Sequence, residues 1–134
     1  MATISKGLLL DTHALIWWFM DSPRMGGGMR AKLEEGDEPI FVSAASAFEI
    51  SLKHRIEKLP EMAALIDGFS DHLATQGFEE LPISCNHALQ AGSLSIDHKD
   101  PFDRMLIAQA QLESLSLVSN ERIFDRFGVI RIWD

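Results

Sequence analysis

The chain has 134 residues, room for one domain with a substantial core and too few for two. Its hydrophobic (46%) and charged (24%) shares are ordinary for a globular protein. The formal net charge of −8 argues against a nucleic-acid binder that relies on a broad basic face, and it suits a basic protein partner. A single cysteine, Cys85, excludes an intrachain disulfide, and its surroundings suggest a small buried residue. The short polar N-terminus leads into an apolar stretch broken by Asp11 and His13, which has neither the length of a membrane span nor a signal-peptide pattern. The expectation is a soluble, cytoplasmic protein with no membrane association and one domain over 1–134.

Residues 7–11 read as a short, buried parallel strand. Thr12 can cap a helix carrying Leu15, Ile16, Trp18 and Phe19, broken by Asp21-Ser22-Pro23. Gly26-Gly27-Gly28 is a flexible patch before a short helix over 29–35. Pro39 introduces a second strand over 40–42, and Ser43 or Ser46 starts a helix running to about Lys58, ended by Leu59-Pro60. Met62, Leu65, Ile66, Phe69 and Leu73 stand at helical spacing in one further helix from Glu61, closed by Gly77. A third strand follows over 78–83, then a short helix over 86–94, a loop over 95–99 and a helix over 100–114. A strand over 115–119, a helical turn over 120–126 and a last, edge strand over 129–133 complete the chain. Strands alternating with helices predict an α/β fold in three layers, a mostly parallel central sheet with helices on both faces.

The acidic residues fall at strand ends and helix starts. Asp11 ends the first apolar run, and Glu49 lies a few residues after the second. Asp100 and Asp103 open the helix at 100–114, and Glu121 follows the run Leu117-Val118. Ligands of open α/β folds bind beyond the C-terminal ends of the strands. Carboxylates gathered there repel one another unless a hard cation is present, which points to Mg²⁺ or Mn²⁺ and to phosphate chemistry. Each residue also has an ordinary structural role. Asp11 suits a helix cap, and Glu49 a solvated helix position. Asp100, Pro101 and Asp103 fit a capping box, and Ser119 fits a second cap or a contact to metal-bound water or phosphate. Arg104 can pair with Asp100 at i, i+4 or contact substrate phosphate, as can His98-Lys99. The five histidines show no metal-binding spacing and read as surface or packing residues. Trp17 and Trp18 read as core or interface.

These blocks, taken in order, resemble the PIN-domain ribonucleases of the VapC toxin type from bacterial toxin–antitoxin pairs. The resemblance rests on Leu9-Leu10-Asp11-Thr12-His13-Ala14-Leu15-Ile16-Trp17-Trp18, on 43–52 with Glu49, on Asp100-Pro-Phe-Asp-Arg-Met-Leu-Ile-Ala-Gln-Ala, and on Leu117-Val118-Ser119-Asn120-Glu121. It implies a PIN fold and metal-dependent endonucleolytic cleavage of RNA by a metal-activated water. Asp11, Glu49 and Asp103 would be the catalytic metal ligands, with Glu121 as a fourth ligand standing where the family usually has Asp. Ser119, Arg104 and Asp100 would contact substrate or water. The resemblance also implies a Mg²⁺ or Mn²⁺ cofactor, a homodimer and a small cognate antitoxin with a DNA-binding half.

Against the acidic net charge, Lys53, Arg55 and Lys58, with Lys99 and Arg104, are expected to form a local basic rim, or else a solvated helix face. The helices over 44–74 offer apolar surface to the antitoxin, or simply core. Two other classes stand beside the nuclease: a PIN-like module that binds RNA or a protein without cleaving, and an acidic phospho-receiver or aspartate phosphatase. The last pair is disfavoured by Asp11-Thr12-His13, which is not Asp-x-Asp, and by Leu117-Val118-Ser119, which carries no strand-end lysine.

Overall fold

A computed structural model describes residues 5–57, 59–95 and 97–133. In chain order its elements are β1 (Leu8–Leu10), α1 (Thr12–Phe19), α2 (Gly27–Glu35), β2 (Ile40–Ser43), α3 (Ala44–Arg55), a 3-10 turn (Pro60–Met62), α4 (Ala63–Ile66) and α5 (Phe69–Thr75). There follow β3 (Glu79–Leu81), α6 (Cys85–Ser93), α7 (Pro101–Glu113), β4 (Ser116–Val118), a second 3-10 turn (Arg122–Phe127) and β5 (Arg131–Ile132).

The five strands form one wholly parallel sheet in the order β3-β2-β1-β4-β5. Side chains alternate across a strand, so β1 feeds both faces. Leu8 and Leu10 join a core with Leu15, Met29, Ile50, Leu65 and Leu73 from α1 to α5, whereas Leu9 joins Leu106, Ile107 and Ala110 of α7 with Leu117 and Phe124. The chain steps outward from β1 through β2 to β3 and then returns to lay β4 on the other side of β1. Loops after β1 and β4 therefore leave in opposite directions, and a crevice opens between them at the C-terminal edge.

Glycine shapes the fold at two positions in particular. At Gly7 a Cβ would meet the Pro39 carbonyl oxygen at 2.8 Å, because Leu8 N–H donates to that same oxygen as the sheet begins. At Gly68 the chain is left-handed (φ 72°). This breaks the continuous helix expected from Glu61 to Gly77 into α4 and α5, while the apolar residues at helical spacing still face one core.

Other boundaries also move. The glycine patch is the first turn of α2, not a loop before it, with Gly26 at the cap. Asp11, not Thr12, caps α1, and Ser43 rather than Ser46 caps α3. Strand β3 is shorter than the expected 78–83, and Pro82, which has no N–H, follows its end. Cys85 is exposed at the start of α6, so the expectation of a buried residue fails. Among the described residues, no helix is long and apolar enough to cross a membrane.

Candidate active site

The crevice between β1 and β4 is built from strand ends. Asp11 directly follows β1, and its N–H donates to the Val118 carbonyl of β4 (3.0 Å). Its side chain turns back to accept from Ala14 N–H (2.7 Å), capping α1 while remaining buried. Ser119 directly follows β4 and is fully buried. Its hydroxyl oxygen accepts from Glu121 N–H (3.0 Å), and the hydroxyl hydrogen-bonds the Asp11 carboxylate. One side chain thus ties the end of β1 to the loop after β4.

Burial pushes the Asp11 carboxyl from its ordinary 3.8 up to about 6, and the charge of Glu121 adds to the rise. The Ser119 hydroxyl, the Ala14 N–H and the His13 ring act in the opposite direction. Asp103, half-buried in the first turn of α7, is also pushed up to about 6, first by burial and then by Asp100 and Glu121, against the lowering influence of His98. Glu121 therefore raises both aspartates, which places Asp11, Asp103 and Glu121 in one electrostatic neighbourhood. Glu121 itself is half-exposed and lies 3.4 Å from His13 Nδ1.

Glu49 arrives by a different route. Ser46, one turn earlier on α3, hydrogen-bonds Thr12 at the start of α1 (3.0 Å) and sets α3 against that end of the crevice. Glu49 is buried, and Lys53 Nζ donates to its carboxylate at 2.5 Å. Phe48 and Phe102 meet edge-on at 5.5 Å where α3 passes the start of α7. Asp103 likewise has a side-chain partner, His98 Nε2 at 2.9 Å. Among the described residues, no three His, Cys, Asp or Glu side chains already stand in an arrangement that could hold a metal ion.

The remaining expected site residues have other engagements. Asp100 caps α7, accepting from Phe102 and Asp103 N–H. Arg104 donates to the carbonyls of Ala91, Gly92, Leu94 and His98, which turns it from a phosphate contact into the clasp of the loop between α6 and α7. The expected basic rim is thereby depleted: Lys53 is paired, Arg104 is engaged, and Lys58 lies outside the described residues. The role of Ser46 is not legible from sequence, because no spacing rule says which hydroxyl a folded neighbour will meet, whereas Glu49 and Lys53 stand at i, i+4 on one helix, a spacing that carries the signal for their pairing. His98 had been marked for phosphate, and its nearness to Asp103 was the available signal for the carboxylate it actually meets.

Comparison with known proteins agrees with this architecture. The family model of the PIN domain matches residues 8–130. The chain belongs to the PIN domain family. One relative of this PIN domain is Ribonuclease VapC22 of Mycobacterium tuberculosis, 26% identical over 118 residues that cover 86% of this chain and 87% of the relative. Among solved structures, VapBC2 from Rickettsia felis bound to a DNA fragment from its promoter superposes with a TM-score of 0.69 at 19% identity, covering 95% of this chain and 98% of that one. A toxin–antitoxin complex from Klebsiella pneumoniae superposes with a TM-score of 0.57 at 21% identity, covering 86% and 87%. These structural likenesses establish the PIN fold.

Proposed function

We propose that this PIN domain is a divalent-metal-dependent endoribonuclease and the toxin of a toxin–antitoxin pair. The observation that carries the proposal is the acidic crevice at the switch point, where burial and a shared acidic neighbour raise two aspartates to about 6. Family membership and the ribonuclease name of the Mycobacterium tuberculosis relative support it.

The donor set fits a hard cation such as Mg²⁺ or Mn²⁺, because it is all oxygen, acidic and mutually repelling. Asp11, Glu49 and Asp103 would hold the ion, with Glu121 at the outer edge. When bound, such an ion lowers the pKa of water and neutralises charge that develops on the phosphate. The chain's residues supply orientation. Ala14 N–H and Ser119 fix the Asp11 carboxylate, and Thr12 with Ser46 fixes the helix carrying Glu49. Lys53 and His98 stand on Glu49 and Asp103, where a bound cation would compete with them.

The test is cleavage of total cellular RNA by the purified chain and its Asp11→Asn variant, each with Mg²⁺, Mn²⁺ or EDTA. Discrete fragments that require both the metal and Asp11 are expected. Cleavage that persists in EDTA or in the folded variant overturns the assignment. A PIN-like module that binds without cleaving is the second reading, favoured by the internal pairing of Glu49 and Asp103. RNA or protein binding with neither metal uptake nor cleavage would select it.

The antitoxin is proposed from the toxin–antitoxin complex of the Klebsiella pneumoniae relative and from one feature of this surface. A groove of about 450 Å³ lies between α3, α5 and β3, lined by Val42, Ala47, Phe69, Leu73, Glu80 and Pro82. Apolar walls with one carboxylate, Glu80, at the edge suit an amphipathic segment. A homodimer and a cytoplasmic location complete the proposal, and sedimentation of the purified chain tests the dimer.

A further inference from the structure

Glu121 stands on a span whose two ends are gripped by a single side chain. Arg131, on the edge strand β5 opposite Leu117 of β4, is largely covered. Its guanidinium donates from Nη1 to the Ser119 carbonyl (3.1 Å) and from Nε and Nη2 to the two carboxylate oxygens of Asp125 (2.8 and 3.2 Å). These hydrogen bonds hold the Asp125 carboxyl below its ordinary range. Ser119 opens the loop after β4, and Asp125 lies in the 3-10 turn that follows. The guanidinium therefore closes a ring around 119–125, with Glu121 inside it. Both ends of the span have other anchors. Ser119 N–H donates to the Ile132 carbonyl and Leu117 N–H to that of Ile130, which joins β4 to β5. Phe124 is fully buried in the core beneath α7. What the guanidinium adds is a fixed separation between those anchors. Glu49 and Asp103 have helices to set their backbone, whereas Glu121 lies between elements. A glutamate also has more side-chain freedom to order than an aspartate.

We propose that Arg131 is a positioning residue of the nuclease site, which holds Glu121 at the mouth of the crevice by gripping both ends of 119–125. The inference rests on the nuclease reading and deepens it by adding a residue that touches neither metal nor substrate and acts through the backbone. The grip needs arginine. A planar guanidinium meets a carboxylate with two N–H groups and keeps a third for the carbonyl, whereas a compact ammonium cannot match that fork. Asp125 also balances the guanidinium charge on the spot. The loop is thereby held without a net positive charge that would repel a cation beside Glu121.

The experiment is calorimetric titration of the full chain with Mn²⁺, for the parent, Arg131→Met, Glu121→Gln and the double variant. Amide exchange of each is followed in the metal-free state. The two single variants should each weaken Mn²⁺ binding about fivefold, and the double variant should bind no more weakly than either, because coupled residues do not add. A grip that acts through Glu121 has nothing left to position once that carboxylate is gone. Arg131→Lys should behave as Arg131→Met does, and exchange at Glu121 N–H should rise in both before any metal is added. Unchanged Mn²⁺ binding in Arg131→Met or Glu121→Gln overturns the assignment. So does full rescue by Arg131→Lys, and so do losses that multiply in the double variant, as they would if the guanidinium only stapled β5. Asp125→Asn opens the far end of the span alone and carries the test if Arg131→Met does not fold. It should weaken Mn²⁺ binding in the same direction, and an unchanged affinity overturns the grip. If the parent binds Mn²⁺ and cleaves RNA while the Arg131 and Asp125 variants bind the ion as it does, the nuclease reading stands without the grip. If the parent neither binds Mn²⁺ nor cleaves RNA, the nuclease reading fails and takes the grip with it.

Discussion

The acidic crevice has two halves that are held in different ways. Asp11 and Ser119 ride on the ends of β1 and β4, adjacent strands locked by parallel pairing of Leu8 with Ser116 through Leu10 with Val118. Their positions are set by backbone, and their carboxylate is restrained by an N–H and a hydroxyl. Glu49 and Asp103 ride on helices from opposite faces of the sheet, and each meets a side-chain partner, the Lys53 ammonium or the His98 ring. The strand half is fixed by backbone and the helix half by side-chain pairs, yet burial leaves Asp11 and Asp103 alike raised to about 6. A cation entering the second half has to compete with the partners of Glu49 and Asp103.

The largest effect that would break this contrast is at Asp11. Asp11→Asn should abolish cleavage, because the residue is buried at the strand end that forms the floor of the crevice, and yet it should stabilise the metal-free protein at neutral pH. The folded pKa is raised from 3.8 to about 6, so the folded state binds this proton more tightly than the unfolded state does. Stability from this group is therefore lost as pH rises between those values, by on the order of 3 kcal/mol. Asparagine can still cap α1 and loses no proton. Melting curves of both proteins from about pH 4 to about pH 8 check this: the variant should gain on the parent as pH rises through the window. A parent that gains instead would show that Asp11 is relieved after all.

Next in size is Arg104→Met, which strips the donors from the carbonyls of the loop between α6 and α7. A loss of about 3 kcal/mol is expected from the freed carbonyls. It should be read by urea unfolding, with His98 amide exchange rising ahead of the rest. Ser119→Ala should cost about 1–2 kcal/mol, because Glu121 N–H loses its acceptor. It should also move the acid limb of the cleavage profile to higher pH, since the hydroxyl that holds the Asp11 carboxyl down is gone. The smallest effect on cleavage is expected at Lys53→Met. The metal-free variant should be less stable than the parent, because buried Glu49 is left without its partner, while calorimetry should show Mn²⁺ binding more tightly, because the ammonium no longer competes for Glu49.

The same contrast describes what could be read from the residues alone. The strand half was legible because an apolar run ending in Asp11, or in Ser119 and Glu121, states both the strand and its outlet. The parallel α/β layering followed from alternation of elements, and the edge position of β5 is where the final run was expected. The helix half was legible only as positions. That Arg104 turns to carbonyls and that Ser46 meets Thr12 are outcomes of tertiary packing, which local spacing does not encode, whereas the i, i+4 spacing of Glu49 and Lys53 does carry their pairing. The break at Gly68 was hidden because the apolar period runs through it unbroken. Cys85 was misjudged because a small apolar residue at a helix start has no reason of its own to be covered.

Strand β1 is made long before β4, yet β4 is one of its two flanks, with Leu8 lying against Ser116. The crevice at their ends closes only when Ser119 arrives to clasp Asp11. Contacts so distant along the chain form late in folding. A nascent or prematurely terminated chain that lacks β4 therefore carries its leading aspartate without the crevice around it. Translation must pass β4 and Ser119 before any cutting edge exists, so an RNA-cleaving chain of this design leaves the message and ribosome that are making it intact until that point.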